Sequence, residues 1–249
     1  MQPTSIEWVK SPDGTQGYSA NPIKGICPRD CKDNQGKSYC YARRLYDRYG
    51  WDKTIRIDIE ELLAIERHKK PAGIFLGSTF ELFWGGLERF WQDSIFRTIR
   101  NCPQHRFYLL TKEPQNLVKF SPFSENCFVG VSATNQQHSD KALQYLLNIN
   151  AKIKFISYEP LLEPIHFWGG AFLNGKPYIN WVIIGQCTPV KQSTQPKIEW
   201  VREIIEAADK AEIPVFLKYN LVGLLPVEEP YYKNDGSGWA IRQEFPNVD

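Results

Sequence analysis

Six short apolar runs punctuate the chain: GIFLGS (73–78), RFYLLT (106–111), CFVGVS (127–132), KIKFIS (152–157), WVIIG (181–185) and PVFLKY (214–219). Between them, apolar residues recur at helical spacing. Phe90, Trp91, Ser94, Ile95, Thr98 and Ile99 form one such set, and Ala142, Leu143, Leu146 and Leu147 share a face on a helix predicted from Ser139. Trp200, Val201, Ile204, Ile205 and Ala208 form another. A strand that is apolar on both alternating faces has to be covered on both, and a helix with one apolar stripe has to lie against something. A parallel sheet with helices outside meets both demands. With a first strand before Cys27, the count reaches about seven βα units, fewer than the eight of a closed barrel.

The rest of the chain reads more locally. Residues 5–20 predict one or two short strands with a turn at Ser11-Pro12-Asp13-Gly14. Tyr41 to Tyr49 predicts a helix closing on Gly50. Asp58 reads as an N-cap with Glu61 in the capping-box position; Leu62, Leu63 and Ile65 supply the apolar side before His68 and Pro71 end that helix. A short helical stretch is expected around Gln115 to Lys119, and residues 220–249 read as an irregular cover. No internal repeat or low-complexity segment is present. We expect a single domain over residues 1–249, a length near that of one α/β barrel.

No apolar run approaches the ~18 residues of a membrane span, and MQPTSIEWVK lacks the basic-then-apolar pattern of a signal peptide. A cytoplasmic protein is therefore expected. There thiols stay reduced, and clustered cysteines hold metals more often than disulfides. That matters for the stretch from Tyr18 to Tyr46, because three of the six cysteines, Cys27, Cys31 and Cys40, lie within fourteen residues of it. Soft thiolates suit an iron–sulfur cluster or zinc. Structural zinc would ask for a fourth ligand, and none of the four histidines lies in or beside this loop. Cys102, Cys127 and Cys187 are dispersed and form no second cluster motif. The net charge of +2 says little about partners, but Lys24 to Arg56 carries nine Lys/Arg against four Asp/Glu.

Cys27-x3-Cys31 followed by Tyr39-Cys40 resembles the three-cysteine loop of radical S-adenosylmethionine (radical SAM) enzymes. SIEW, NPIKGIC, CYA, IFLGSTFELF, FYLLTK, FVGVSATNQ, FISYEPLL and WVIIGQ are similar, in order, to the landmarks of one phage-derived branch of unassigned function. The likeness runs from about Ser5 to Lys218. The departure is the spacing: eight residues separate Cys31 from Cys40, where the superfamily usually has two. The resemblance implies a partial (β/α) barrel of six to seven parallel strands. It implies a [4Fe–4S] cluster on Cys27, Cys31 and Cys40 whose open iron takes SAM, fed by a flavodoxin- or ferredoxin-like electron donor. It puts the methionyl amine of SAM near Ser78, Thr79 and Glu81, and a hydroxyl contact to the cofactor at Ser132. Glu81 as a helix cap or a solvated carboxylate, and Ser132 bonding its own turn, are the structural alternatives.

In parallel α/β folds, chemistry gathers at the C-terminal ends of the strands. Those ends carry Ser78 to Glu81, Thr111-Lys112, Ser132 to Thr134, Ser157 to Glu159, Gln186-Cys187 and Lys218-Tyr219. Lys112 is a candidate partner for a SAM carboxylate or a substrate phosphate. Glu159 is a candidate for binding a substrate donor or for pairing with Lys112, and a purely structural ion pair is the alternative. Cys187 could donate a hydrogen atom beside a radical, or be a small buried hydrophobe. The branch's phage association and the basic loop make a nucleotide or nucleic acid the first expectation for the substrate. Two rivals remain: a metal-binding module without turnover, and a zinc-stapled nucleic-acid-binding protein. No P-loop, GxGxxG, HExxH or nucleophile elbow can be read. Most tryptophans are expected in the core or its rim rather than as base-stacking platforms.

Overall fold

The computed structural model describes residues 1–33, 35–167, 172–173, 176–234 and 236–248. Asn34 of the cysteine loop, residues 168–171 and 174–175 of the Gly- and Pro-rich loop, and Asp235 and Asp249 of the tail lie outside the described residues. The chain forms two compact units, Met1–Val129 with Ile149–Lys152 and Gly130–Asn148 with Ile153–Asp249.

In the first unit, β1 (Gln2–Pro3) pairs antiparallel with β2 (Tyr18–Ala20). The turn between them is tied by the Gly14 N–H donating to the Ser11 carbonyl at 2.9 Å. Next, β3 (Ile23–Lys24) pairs antiparallel with β4 (Arg56–Ile57). That short ladder closes the base of an excursion holding the cysteine loop and α1 (Tyr41–Tyr49). The Asp58 side chain caps α2 (Ile59–Arg67), accepting the Glu61 N–H at 3.2 Å. Then come β5 (Gly73–Leu76), α3 (Arg89–Asn101), β6 (Arg106–Thr111) and a 3-10 turn at Pro114–Phe120. On one face of these strands Phe75 stands beside Tyr108. Trp8 covers both, with ring centroids 5.1 and 5.6 Å away. Burying large rings like these is the main source of cohesion here.

Strand β7 (Cys127–Ser132) leads into the second unit, which contains α4 (Gln136–Leu147), β8 (Ile153–Tyr158), β9 (Phe172–Leu173), β10 (Lys176–Pro177) and β11 (Trp181–Ile184). It continues through α5 (Ile198–Lys210), β12 (Val215–Leu217), β13 (Tyr232–Asn234) and β14 (Trp239–Ile241). Periodicity predicts that α4 starts at Ser139; it starts at Gln136, because Asn135 caps it by accepting the His138 N–H at 2.9 Å. Ser139 sits inside the helix instead, and its hydroxyl meets the Tyr158 hydroxyl at 2.9 Å. That contact assigns the Tyr158 side of β8 to α4. The opposite side carries Phe155, beside Trp181, and Phe216.

The tail is more ordered than an irregular cover. It holds the antiparallel β13–β14 hairpin, and beyond it the backbone runs along β12. Leu217 N–H donates to Arg242 O at 2.8 Å, and Glu244 N–H to Val215 O at 3.0 Å. The Trp181 indole donates to Glu244 O at 2.8 Å. Arg242 bridges Asp209 and Glu244. An edge strand with unmet backbone groups invites such a cover.

The large sheet has eight strands in the order β1-β2-β5-β6-β7-β8-β11-β12. The pairs β2–β5, β5–β6, β8–β11 and β11–β12 are parallel, and β1 is antiparallel to β2. The order ends at β1 and β12, so the sheet is open. The α/β class and mostly parallel sheet match the expectation from sequence.

Candidate metal and cofactor site

Cys40 is the N-cap residue of α1, and Cys27 and Cys31 lie in the loop before it. Backbone bonds give this loop its shape: Tyr39 N–H donates to Cys31 O at 3.0 Å, and Asp33 N–H to Lys37 O at 2.9 Å. Arg43, one turn into α1, donates to the carbonyls of Cys27 at 2.8 Å and Arg29 at 3.4 Å. The longer Cys31–Cys40 insert is thus a small closed turn, with Lys32 and Ser38 bridged antiparallel at its neck. It brings its two cysteines back together.

The three thiols act on one another. Cys31 donates to the Cys40 sulfur, which pushes the Cys40 thiol down to about 5, while Cys31 is raised. The N–H groups of Ala42 and Arg43 in the first turn of α1 also lower Cys40, although they close no side-chain cap hydrogen bond. A helix N-terminus favours a thiolate in this way. Burial raises Cys27, against the opposing N–H groups of Arg29 and Glu81, and the Cys40 charge raises it further. Lys112, just beyond β6, lowers both Cys31 and Cys40 by its positive charge. Among the described residues, no three His, Cys, Asp or Glu side chains are grouped to hold one metal ion. Cys31 and Cys40 meet directly, Cys27 feels the Cys40 charge, and none of the three is in a disulfide; neighbouring thiols are the donor type that an iron–sulfur cluster takes.

The end of β5 frames this loop. The Asn21 side-chain carbonyl accepts from the Ser78 hydroxyl at 3.1 Å, the Thr79 N–H at 2.9 Å and the Thr79 hydroxyl at 3.0 Å. The Tyr41 hydroxyl donates to the Ser78 carbonyl. Glu81 neither caps a helix nor faces solvent: its residue is 7% exposed. Its carboxylate accepts from the Thr111 hydroxyl at 2.6 Å and the N–H groups of Lys112 at 2.8 Å and Phe83 at 3.2 Å. Burial raises its pKa, and those donors with the Lys112 charge oppose the rise. Ser78, Thr79, Glu81 and Lys112 thus join the cysteines in the first unit.

The basic residues of the loop are largely engaged. Lys24 pairs with Glu61 at 2.9 Å, Lys32 with Asp30 at 2.6 Å, and Arg29 reaches Glu113 at 3.8 Å.

Ser132, Glu159 and Cys187 belong to the second unit. Ser132 is buried at the end of β7, and Cys187 is buried beyond β11. Glu159 pairs with Lys218, at the end of β12, and not with Lys112 as one reading of the sequence has it. Gly185 lies between them: a Cβ there would sit 3.0 Å from Lys218 Cδ and 3.3 Å from Glu159 Cγ. The Asn220 side chain clasps the backbone of Gln186, accepting its N–H at 3.2 Å and donating to its carbonyl at 2.8 Å. Two buried polar atoms in this unit, Ser157 Oγ and Gln186 Oε1, have no hydrogen-bond partner.

Sequence reasoning missed Asn21, Tyr41 and Asn220. Asn21 stands before a proline at the end of a strand, the position where a side chain reaches other backbones, and that was the available signal.

These features define an α/β protein whose first unit carries a thiol-rich loop at strand ends. Residues 3–222 match the family model described as "Protein of unknown function (DUF5131)", and the chain belongs to that family. Neither a curated protein nor a solved structure matches it.

Proposed function

We propose that this chain is a radical SAM-type enzyme whose strands form a partial barrel, with a [4Fe–4S] cluster on Cys27, Cys31 and Cys40. The observation that supports the reading is the Cys31–Cys40 thiol pair, with Cys27 and Lys112 near enough to act on it by charge. Cys27, Cys31 and Cys40 would hold such a cluster, and the chemistry it would supply is one-electron reductive cleavage of SAM to methionine and a 5′-deoxyadenosyl radical, the electron coming from the external donor.

The chain's own residues supply the setting. Lys112 offsets thiolate charge and is the cation available to an anionic ligand. Arg43 fixes the loop carbonyls. The turn from Ser78 to Glu81, held by Asn21, Tyr41 and Thr111, sets the wall where the methionyl end would lie. Glu81 is buried in this wall, while Ser78 and Thr79 stay half-exposed. Ser132 is a candidate cofactor contact and Cys187 a candidate hydrogen-atom donor on the resemblance alone; Glu159, paired with Lys218, is a candidate substrate contact. Electrons would come from a flavodoxin- or ferredoxin-like donor, and a nucleotide or nucleic acid is the proposed substrate class.

One observation favours a second reading, a metal-holding module without turnover. Glu81 and the Ser78 carbonyl, both expected to face SAM, are already bonded within the protein. Anaerobic reconstitution followed by dithionite and SAM separates the two. Iron with 5′-deoxyadenosine release supports the enzyme, iron without release supports the module, and zinc in place of iron contradicts both.

A further inference from the structure

The C-terminal end of α1 has a feature the cysteine site does not use. Gly50 adopts the left-handed conformation, with φ 61°, that a side chain would strain. Its N–H and that of Trp51, the latter at 3.1 Å, both donate to the Tyr46 carbonyl. The chain therefore folds back, and Trp51 lands on the end of the helix. Its ring meets Tyr46 edge-on at 5.3 Å and stacks on Tyr49 at 5.4 Å with 20° between planes.

The Tyr46 contact alone accounts for a helix end. Tyr46 is buried, and its hydroxyl accepts the Gly25 N–H at 2.8 Å. The stacked pair is different: Tyr49 is 56% and Trp51 46% exposed. They are the only large apolar side chains exposed between residues 43 and 56 among the described residues. The Arg48 guanidinium lies 5.4 Å from the Tyr49 ring centre. Residues 43–56 carry five Arg/Lys against Asp47 and Asp52; those two acids are paired with Lys53 and Arg56, and Arg43 is turned to the loop carbonyls.

We propose that Tyr49 and Trp51 form a stacking platform for a single-stranded nucleic acid, with Arg48 beside it to hold a phosphate. Half-exposed, near-parallel rings with a guanidinium beside them, in a span of net positive charge, match an unpaired base on a charged backbone. A protein partner would be expected to meet a contiguous apolar patch instead, and duplex bases keep their faces covered. α1 is nine residues long, so the platform stands about 14 Å along the helix from Cys40. At ~3.4 Å per stacked nucleotide that is about four nucleotides. Only this link to the cysteines rests on the cluster proposal; the binding itself does not.

The test is fluorescence anisotropy with labelled twelve-nucleotide single strands of DNA and RNA, and a duplex of equal length. It is run on the full chain before any metal is added, so it is independent of cluster loading. Single strands should bind more tightly than duplex, with affinity falling steeply with salt. Tyr49→Ala with Trp51→Ala should weaken single-strand binding about tenfold or more. Tyr49→Phe with Trp51→Phe keeps the rings and should retain most of the affinity. Arg48→Gln should flatten the salt slope by about one. No binding at low salt, equal affinity for duplex, or a Phe pair that loses as much as the Ala pair would overturn the proposal.

Discussion

In the first unit, two polar side chains beyond the strands, Glu81 and Asn21, turn inward and are met. Glu81 takes three donors from Thr111, Lys112 and Phe83, and Asn21 takes three from Ser78 and Thr79. The second unit treats its strand ends otherwise. Glu159 and Lys218 pair at a half-buried edge, while Ser157 Oγ and Gln186 Oε1 are buried without partners. The first unit has buried atoms without partners too, among them Arg43 Nε beside the cysteines and Gln115 Oε1, so the contrast lies in Glu81 and Asn21, each of which holds three donors and fixes the turn behind the thiols. Unmet buried atoms, in either unit, cost stability and mark where the fold has tolerated a local loss.

The comparison breaks most visibly at Glu81. Glu81→Ala strands a hydroxyl and two N–H groups, each costing ~1–3 kcal/mol if left buried and unbonded. A loss of at least about 3 kcal/mol in urea unfolding is expected. A loss under about 1 kcal/mol would show that the frame is not what holds the first unit together.

His105 tests the same unit through pH. Its Nδ1 accepts the Ala72 N–H at 3.2 Å, leaving Nε2–H to face Ile65 O at 3.3 Å, so the ring is held neutral. Burial depresses its pKa, helped by the charges of His68 and Lys69. The folded state then resists protonation. This contribution is complete above the usual histidine value of ~6.5 and declines as pH falls from there toward the lowered folded value, by at most ~1.4 kcal/mol per pH unit. The urea midpoint should drop between pH 7 and 5, and His105→Gln should remove that part of the drop. An unchanged slope in the variant would assign it to other groups.

Smaller effects are expected in the second unit. Glu159→Ala should cost about 1 kcal/mol, since the pair keeps some contact with water. A loss as large as that of Glu81→Ala would erase the distinction between the units. Ser157→Ala removes a hydroxyl that has no partner, so its stability should lie within ~0.5 kcal/mol of wild type or above it. A marked loss would mean that the hydroxyl is bonded in solution.

Local features were legible in the sequence. The cysteine loop, the helix ending at Gly50, the Asp58 cap and the β6 and β7 runs all depend on residues close together in the chain. What was hidden depends on distant ones. Asn21 meets Ser78 and Thr79 only because β2 and β5 are neighbours. Glu159 meets Lys218 only because β8 and β12 flank β11. The ordered tail was missed because residues 242–244 pair with β12 through backbone, which leaves no apolar alternation to read. Trp51 shows the mixed case: Gly50 marked the helix end, but not the ring stack that the turn produces.

The most direct measurement is electron paramagnetic resonance of the anaerobically reconstituted protein after dithionite reduction, recorded with and without SAM. The account predicts the signal of a reduced [4Fe–4S] cluster, shifted when SAM is added and absent from Cys27→Ala, Cys31→Ala and Cys40→Ala. A signal that SAM does not move, or one that survives Cys40→Ala, would contradict it.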